Sequence, residues 1–449
     1  MLEKVRISRW FVLLVFFAWI SATMMTPAIA GEIDFPVRVS GDRRHLEDAS
    51  GRPFLITGDS AWSLIADPSR EDVGFYLKDR QARGFNTLLV SMIEHKFARN
   101  APDNFYGVRP FLVSGDFSKP NDRYFDHAEW VLDEALKRGF LVFLTPAYAG
   151  VDGGSEGWYQ EMVAAGPQAL REYGRYLGRR FGKFPNIVWT QGGDYDPPDR
   201  RLVEAIAGGI AETAPGALQT AHTGPDSISS NYWNGSPWLA IDTIYTYKDT
   251  ASTVFAHFNA EPKRPFFLIE ARYENGESHG GQAIRKIAYG ALLSGASGQM
   301  YGNEVVWHFN GPGLTHAMLT WKEALSSTGT QSIGYLANLF NSIDWWSLEP
   351  DQGQVLIDVS GQDARAVAAG AKDGSLFVAY LENAQNVTLG YPASTANDRV
   401  IRWYDPSSGV FSEAVPQIEG KDRLQIPIPN EQNHVGEHDW VLVVSDKSP

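Results

Sequence analysis

From residue 53 to residue 341 the chain alternates two hydrophobic patterns. Short, nearly continuous apolar runs occupy 53–57, 85–93, 140–145, 186–194, 218–222, 241–245, 266–270 and 298–301. Runs of this length and composition form strands buried on both faces, as in parallel sheets. Between them, 71–83, 121–138, 170–181, 202–213 and 279–294 carry apolar residues at helical spacing, several closed by Gly as at Gly84 and Gly139;. Eight strands alternating with helices predict an α/β fold, a (β/α)8 TIM barrel, with a further helix at 321–339 packed outside. A turn-rich connector at 47–52 predicts a hairpin leading into the first strand.

Beyond residue 342 the period changes. Segments 353–359, 364–371, 375–381, 400–404, 424–428 and 440–444 are short, alternate apolar with polar residues and are separated by turn signals. This is the pattern of a small antiparallel β-sandwich domain. The chain thus divides into 1–30, 31–341 for the barrel and 342–449 for the sandwich.

Residues 1–30 read as a signal peptide. Lys4, Arg6 and Arg9 precede an apolar core over 10–20, and Ala28-Ile29-Ala30 has the small-x-small form of a cleavage site;. The apolar core falls short of the roughly 20 residues of a spanning helix. A secreted or periplasmic protein is therefore expected, with no membrane anchor after cleavage.

Composition narrows the class. In 449 residues, 43% hydrophobic and 20% charged, the chain has the balance of a globular protein, and no cysteine rules out disulfides, thiol nucleophiles and thiolate metal sites;. A formal net charge of −14, which loss of the basic signal segment makes more negative, argues against nucleic acid as a partner;. The 14 Trp residues suit stacking on the apolar faces of sugar rings;.

Two of the apolar runs end abruptly in a carboxylate. Asn186-Ile-Val-Trp-Thr-Gln-Gly-Gly-Asp194 and Phe266-Phe-Leu-Ile-Glu270 occupy the fourth and seventh strands, and a parallel barrel delivers the carboxyl ends of its strands to one face;. Glycosidic hydrolysis needs one carboxylic acid to protonate the leaving oxygen and one carboxylate on the other side of the anomeric carbon. Asp194 and Glu270 can supply them. Asp196 is an alternative acid, and an ion pair with Arg272 an alternative use of Glu270. Other residues at or beyond strand ends are candidates for the sugar-binding lining: Asp59, Trp62, Glu94 and His95 from the first two strands, and Tyr148, Gln191, His222 and Trp233 from the middle of the barrel. Tyr245, Tyr247, Arg272, Tyr273, Asn303 and Trp307 follow from the last three strands. Asp59 also fits a helix cap. No close His spacing suggests a metal, and no cofactor is expected.

Gly58-Asp-Ser-Ala-Trp62, Gly84-Phe-Asn-Thr87, Asn186 to Asp194 and Phe267-Leu-Ile-Glu-Ala-Arg-Tyr-Glu274 resemble the apiosidase-like glycoside hydrolases, formerly catalogued as a domain of unknown function. Asp344-Trp-Trp-Ser-Leu-Glu-Pro350 resembles the start of a small C-terminal domain that carries a collagen-binding label. The resemblance implies a (β/α)8 barrel with the Gly-Gly-Asp aspartate, here Asp194, as acid/base and the strand-seven glutamate, here Glu270, as nucleophile. A retaining, exo-acting hydrolase of polysaccharide side chains is the expectation. A carbohydrate-binding or matrix-adhesion protein on the same scaffold, without catalysis, is the alternative.

Overall fold

The computed structural model describes residues 33–276, 279–313, 318–391, 399–418, 421–430 and 432–446. The signal segment lies outside them. Eight parallel strands form the barrel: β1 Ile56–Ser60, β2 Thr87–Ser91, β3 Leu141–Thr145, β4 Ile187–Gly192, β5 Gln219–His222, β6 Asp242–Tyr245, β7 Phe266–Glu270 and β8 Gly298–Tyr301. Parallel pairing runs from β1 through β5 and from β6 through β8, and β8 returns to β1. Between β5 and β6 the closure is made by a bridge from Gln219 to Leu239 and by the Thr220 and Thr243 hydroxyls, which donate to the carbonyls of Ile241 and Ala221.

Strand alternation sorts the apolar runs into two cores. Leu89, Leu141, Phe143, Val188, Phe267 and Ile269 point into the barrel, and the antiparallel residues Leu46 and Phe54 plug its lower end. Leu88, Val90, Val142, Leu144 and Trp189 point outward against the helices;. All the β7 residues are buried, as expected of a strand covered on both sides;.

The helices are α1 Arg70–Ala82, α2 Asp122–Lys137, α3 Tyr159–Phe181, α4 Arg200–Thr213, α5 Ser229–Trp233, α6 Thr250–Phe258, α7 Gly281–Leu293, α8 Trp321–Ala324 and α9 Thr328–Asn341. The helices differ from the sequence expectation in four places, one of them the short α5, which lies in a stretch expected to be loop. Helix α3 begins before the predicted 170, because a first helical stretch from Tyr159 runs into the predicted one across a kink at Gly166, whose φ of 72° precedes Pro167. Helix α6 was not anticipated; Asp249 caps it by accepting from Ser252 N–H;. The helix expected over 321–339 is two, since Ser326-Ser327 ends α8 and restarts the chain as α9. Among the described residues no helix is long and apolar enough to cross a membrane.

The C-terminal strands make two antiparallel sheets. One has six strands in the order Leu348–Pro350, Arg365–Ala371, Leu376–Glu382, Asp439–Ser445, Val400–Asp405 and Val410–Glu413; the other has four. Phe377, Trp403, Leu442, Val387 and Ile426 fill the space between them. The outer face of the larger sheet packs on the barrel. Tyr380 stacks on Tyr289 of α7 at 5.0 Å, and Arg285 of α7 is buried in an ion pair with Asp439 at 2.6 Å.

Candidate active site

Asp194 follows Gly192 and Gly193 at the upper end of β4. Both glycines have positive φ, 83° and 128°, and a Cβ on Gly193 would lie 2.4 Å from the Tyr148 ring. Only Gly fits there. Asp194 itself sits at φ 49°, a left-handed conformation that Asp tolerates, and the resulting sharp turn swings its carboxyl over the barrel mouth;.

Glu270 reaches the same place by a different device. Inward-facing Phe267 and Ile269 alternate with outward-facing Phe266 and Leu268, so strict alternation would send Glu270 outward. The register between β6 and β7 slips by one residue here: Ile244 pairs with Leu268, and Tyr245 with Glu270. This β-bulge turns the carboxyl inward.

His222 at the end of β5 joins the two acids. Its Nε2 is 2.8 Å from Glu270 Oε2, and its Nδ1 is 3.4 Å from Asp194 Oδ1. One oxygen of Asp194, one of Glu270 and a ring nitrogen all lie within 4.8 Å of one another. Among the described residues this is the one group of acidic and imidazole side chains spaced closely enough to hold a cation. The Tyr148 hydroxyl donates to Asp194 Oδ2 at 2.7 Å.

The electrostatics separate the groups. Burial, then the charge of Glu270, pushes the Asp194 carboxyl up to about 7, against the opposing pull of His222 and the Tyr148 hydrogen bond;. His222 is raised above an ordinary imidazole: burial opposes its charge, but the hydrogen bond to Glu270 and the charge of Asp194 outweigh it. Near neutral pH this site can therefore hold a proton on Asp194.

Above the pair opens a cleft of about 630 Å³. Trp62, Glu94, Tyr148, Tyr245, Tyr247, Arg272, Tyr273 and Trp307 line it together with Asp194 and Glu270. Trp62 packs edge-on to His222 and donates from Nε1 to the Tyr273 hydroxyl at 3.2 Å. Tyr247, 40% exposed, shares a hydrogen bond with Tyr245 at 2.7 Å. His222 lies beneath the cleft floor.

The remaining expected lining residues are placed elsewhere, which corrects the sequence reading. Asp59 and Gln191 stand at outward positions of their strands. Asp59 is fully buried, bonded to Arg80 at 3.2 Å and to the Tyr76 hydroxyl at 2.8 Å on α1, and burial raises its carboxyl to about 6 against that guanidinium. Gln191 donates to Gln219 behind the barrel wall at 2.9 Å. Asn303 turns back to the Tyr301 hydroxyl, and Trp233 is buried against Trp238. His95 faces Glu161 at 3.0 Å and the edge of Trp158. Asp196 accepts from Gly224 N–H at 3.4 Å and does not line the cleft.

Three titratable residues in the cleft escaped the sequence reading: Glu156, His279 and Glu304. Glu304 is the neighbour of Asn303, and which of the two faces the cleft depends on the loop conformation. Glu156 follows β3 in a Gly-rich loop, and only its position after a barrel strand hinted at it.

Comparisons with known proteins agree with this architecture. Residues 40–347 match the family model described as "Apiosidase-like, catalytic domain", and 350–445 that described as "Putative collagen-binding domain of a collagenase". Among solved structures, one described as "Glycoside hydrolase" superposes with a TM-score of 0.78 at 21% identity, covering 92% of this chain and 97% of its own. A glycoside hydrolase family 5 protein from Bacteroides vulgatus superposes with a TM-score of 0.79, also at 21% identity, over 92% of this chain and 93% of its own. No curated protein matches the sequence. The match over residues 40–347 spans more than half the chain, and the protein belongs to the apiosidase-like catalytic domain family, a family of glycoside hydrolases.

Proposed function

We propose that the protein is a secreted, retaining glycoside hydrolase in which Asp194 is the general acid/base and Glu270 the nucleophile. The observation that carries this reading is the approach of an Asp194 oxygen to a Glu270 oxygen within 4.8 Å at the cleft floor. Retaining enzymes hold their carboxyl groups about 5–5.5 Å apart, whereas inverting ones need roughly 6.5–9.5 Å to admit a water. In the first step Asp194 gives its proton to the glycosidic oxygen, the C–O bond breaks, and Glu270 forms a bond to the anomeric carbon. In the second, Asp194 takes a proton from water, whose oxygen displaces Glu270.

The cleft volume suits a few sugar units rather than a long polymer run, which favours exo action on side chains;. Secretion rests on the residue pattern of 1–30;.

The test is Glu270→Gln on a panel of aryl glycosides and polysaccharide side-chain oligomers, with NMR of the first-formed anomer. Retained configuration and loss of turnover in the variant are expected; an inverted product or equal turnover would sink the assignment. Sequencing the N-terminus of protein exported by a bacterial host tests cleavage after Ala30.

A further inference from the structure

Another pocket, of about 40 Å³, lies at the lower end of the barrel, away from the catalytic cleft. Phe266, the first residue of β7, and Ser297, the residue before β8, stand in its wall, whereas Glu270 ends β7 at the opposite face. Three segments far apart in the chain close around it: Arg43 to His45, the connection from α6 to β7, and the linker at Trp345 and Trp346 that leads into the sandwich. Part of the lining is aromatic. A Cβ on Gly295 would lie 2.3 Å from the Phe258 ring, so glycine lets that ring press on the backbone, and the Arg44 guanidinium lies over the ring at 4.8 Å.

The lining carries cations and, among the described residues, no carboxylate. Arg43, Arg44, Lys263 and Arg264 supply the positive groups. Two of them are compensated from behind the wall: Arg44 by Glu349 at 2.8 Å, which also takes Lys372, and Arg264 by Asp242 at 3.6 Å, which also faces His257 at 3.3 Å. The other two are not. Arg43 donates from Nε to the Lys263 carbonyl at 2.8 Å, and among the described residues no carboxylate pairs with its guanidinium or with the Lys263 ammonium. Glu261, two residues from Lys263, accepts the Lys263 backbone N–H at 3.1 Å. Two nitrogens of the lining are also buried without a hydrogen bond. Arg264 is 10% exposed in its side chain and leaves Nη1 without one; His45 is 7% exposed and leaves Nδ1 without one, 3.7 Å from Asp42. Buried polar groups ordinarily have a partner, and an acceptor in the pocket would supply it, with His45 in its Nδ1–H tautomer.

We infer that this pocket binds a small dianionic oxyanion, phosphate or sulfate, free or as the terminal group of an ester. Charge sets the valence, since the two uncompensated cations are balanced by a dianion. Volume sets the size: at roughly 10–15 Å³ for each water-sized occupant, the space admits one such group and no sugar ring. The Arg43 guanidinium offers paired N–H donors and the Lys263 ammonium a point charge, so two chain segments recognise the anion together. Bound there, it joins Arg43 to the α6–β7 connection beside the domain linker. Trp346, 41% exposed, is the lining residue able to stack on the ring of an esterified ligand;. The inference is independent of the proposed catalytic pair, with which this pocket shares no residue.

The experiment is titration calorimetry of the full chain with inorganic phosphate, inorganic sulfate and phenyl phosphate, at an ionic strength held constant with sodium chloride. Wild type is expected to bind at least one of the three at a single site, and its melting temperature to rise with the concentration of that ligand. Lys263→Ala and Arg43→Ala should each weaken binding at least about tenfold. Lys78→Ala, which removes the same charge from an exposed position on α1, should bind as wild type does. Lys263 is exposed, so Lys263→Ala should melt with wild type when no ligand is added. Phenyl phosphate bound more tightly than both inorganic ions identifies an ester as the source, and equal or weaker binding identifies the free ion. Binding of none of the three, full affinity retained in Lys263→Ala or in Arg43→Ala, or an equal loss in Lys78→Ala would each overturn the inference.

Discussion

Nε2 of His222 lies 2.8 Å from Oε2 of Glu270, with the imidazole wholly buried. The opposite nitrogen of the same ring faces Asp194 at 3.4 Å, so one rigid ring spans the two carboxyls and sets their spacing. Tyr148, Trp62 and Tyr245 pack around the ring or its partners and hold it in place. The ring is hydrogen-bonded to Glu270 through Nε2, and its Nδ1 accepts the backbone N–H of Asp194 at 3.3 Å, so it is placed to act on both steps of the proposed double displacement.

Replacing His222 by Asn is expected to lower kcat about 100-fold, the cost of an ångström-scale misplacement, with a smaller effect on KM. It should also move the alkaline limb of the rate profile upward. The His222 charge lowers the Asp194 pKa, so removing it lets Asp194 keep its proton to higher pH. A limb that stays in place in kcat/KM against pH would show that His222 does not tune Asp194.

Wild-type turnover should fall as pH rises through about 7, where Asp194 loses its proton;. Asp194→Ala should cost about 10²–10⁴ on substrates with poor leaving groups, much less on activated aryl glycosides, and azide should restore part of the rate. Asp196→Asn should stay within a few-fold of wild type, because its carboxylate serves the Gly224 backbone. Comparing the two variants on one activated and one poor leaving group separates them, and a larger loss at Asp196 would reverse the assignment.

The raised Asp194 carboxyl carries a stability cost with a defined sign. Its folded pKa of about 7 exceeds the unfolded value near 3.8, so the folded state holds the proton more tightly. The contribution is fully present below about pH 4 and is lost as pH rises through about 7. Asp194→Asn, which cannot ionise beside Glu270, should therefore melt at a higher temperature than wild type at pH 8, and the advantage should shrink by pH 5. Calorimetric scans at both values check it; an advantage confined to pH 5 would contradict the sign.

At the domain junction, Arg285 is buried against Asp439, and Asp439 also accepts from the Tyr380 hydroxyl at 2.8 Å. Arg285→Met leaves that carboxylate without its countercharge and should destabilise by about 3–5 kcal/mol. Chemical denaturation should show the loss. If barrel and sandwich then unfold in separate transitions, the pair is what couples them; an unchanged midpoint would mean that the apolar packing and the other polar contacts, such as Lys286 with Glu382 and the Tyr404 hydroxyl on the Tyr335 carbonyl, hold the junction without it.

The strand positions were legible because a strand covered on both faces must be apolar throughout, and the eight runs stand out from their amphipathic neighbours. The sandwich was legible by the opposite property, alternation. Helix α6 was missed because its nine residues hold little periodic signal; its Asp249 cap and its packing on α7 define it. The lining residues were read less well. A side chain at a strand end faces in or out by a period of two, and two of the misplaced residues, Asp59 and Gln191, fall on the outward phase.

By itself, the sequence determined the barrel, the appended sandwich and the two carboxylates at the ends of β4 and β7, because burial and chain direction are written in apolar periodicity. Whether those carboxylates meet was decided by the tertiary structure. Strict alternation would have turned Glu270 outward, and only the slip in register against β6 brings it in; the left-handed turn after two glycines does the same for Asp194. His222 joins them from a third strand. Such a site depends on backbone irregularities and on distances between strands far apart in the chain, which local residue patterns do not encode.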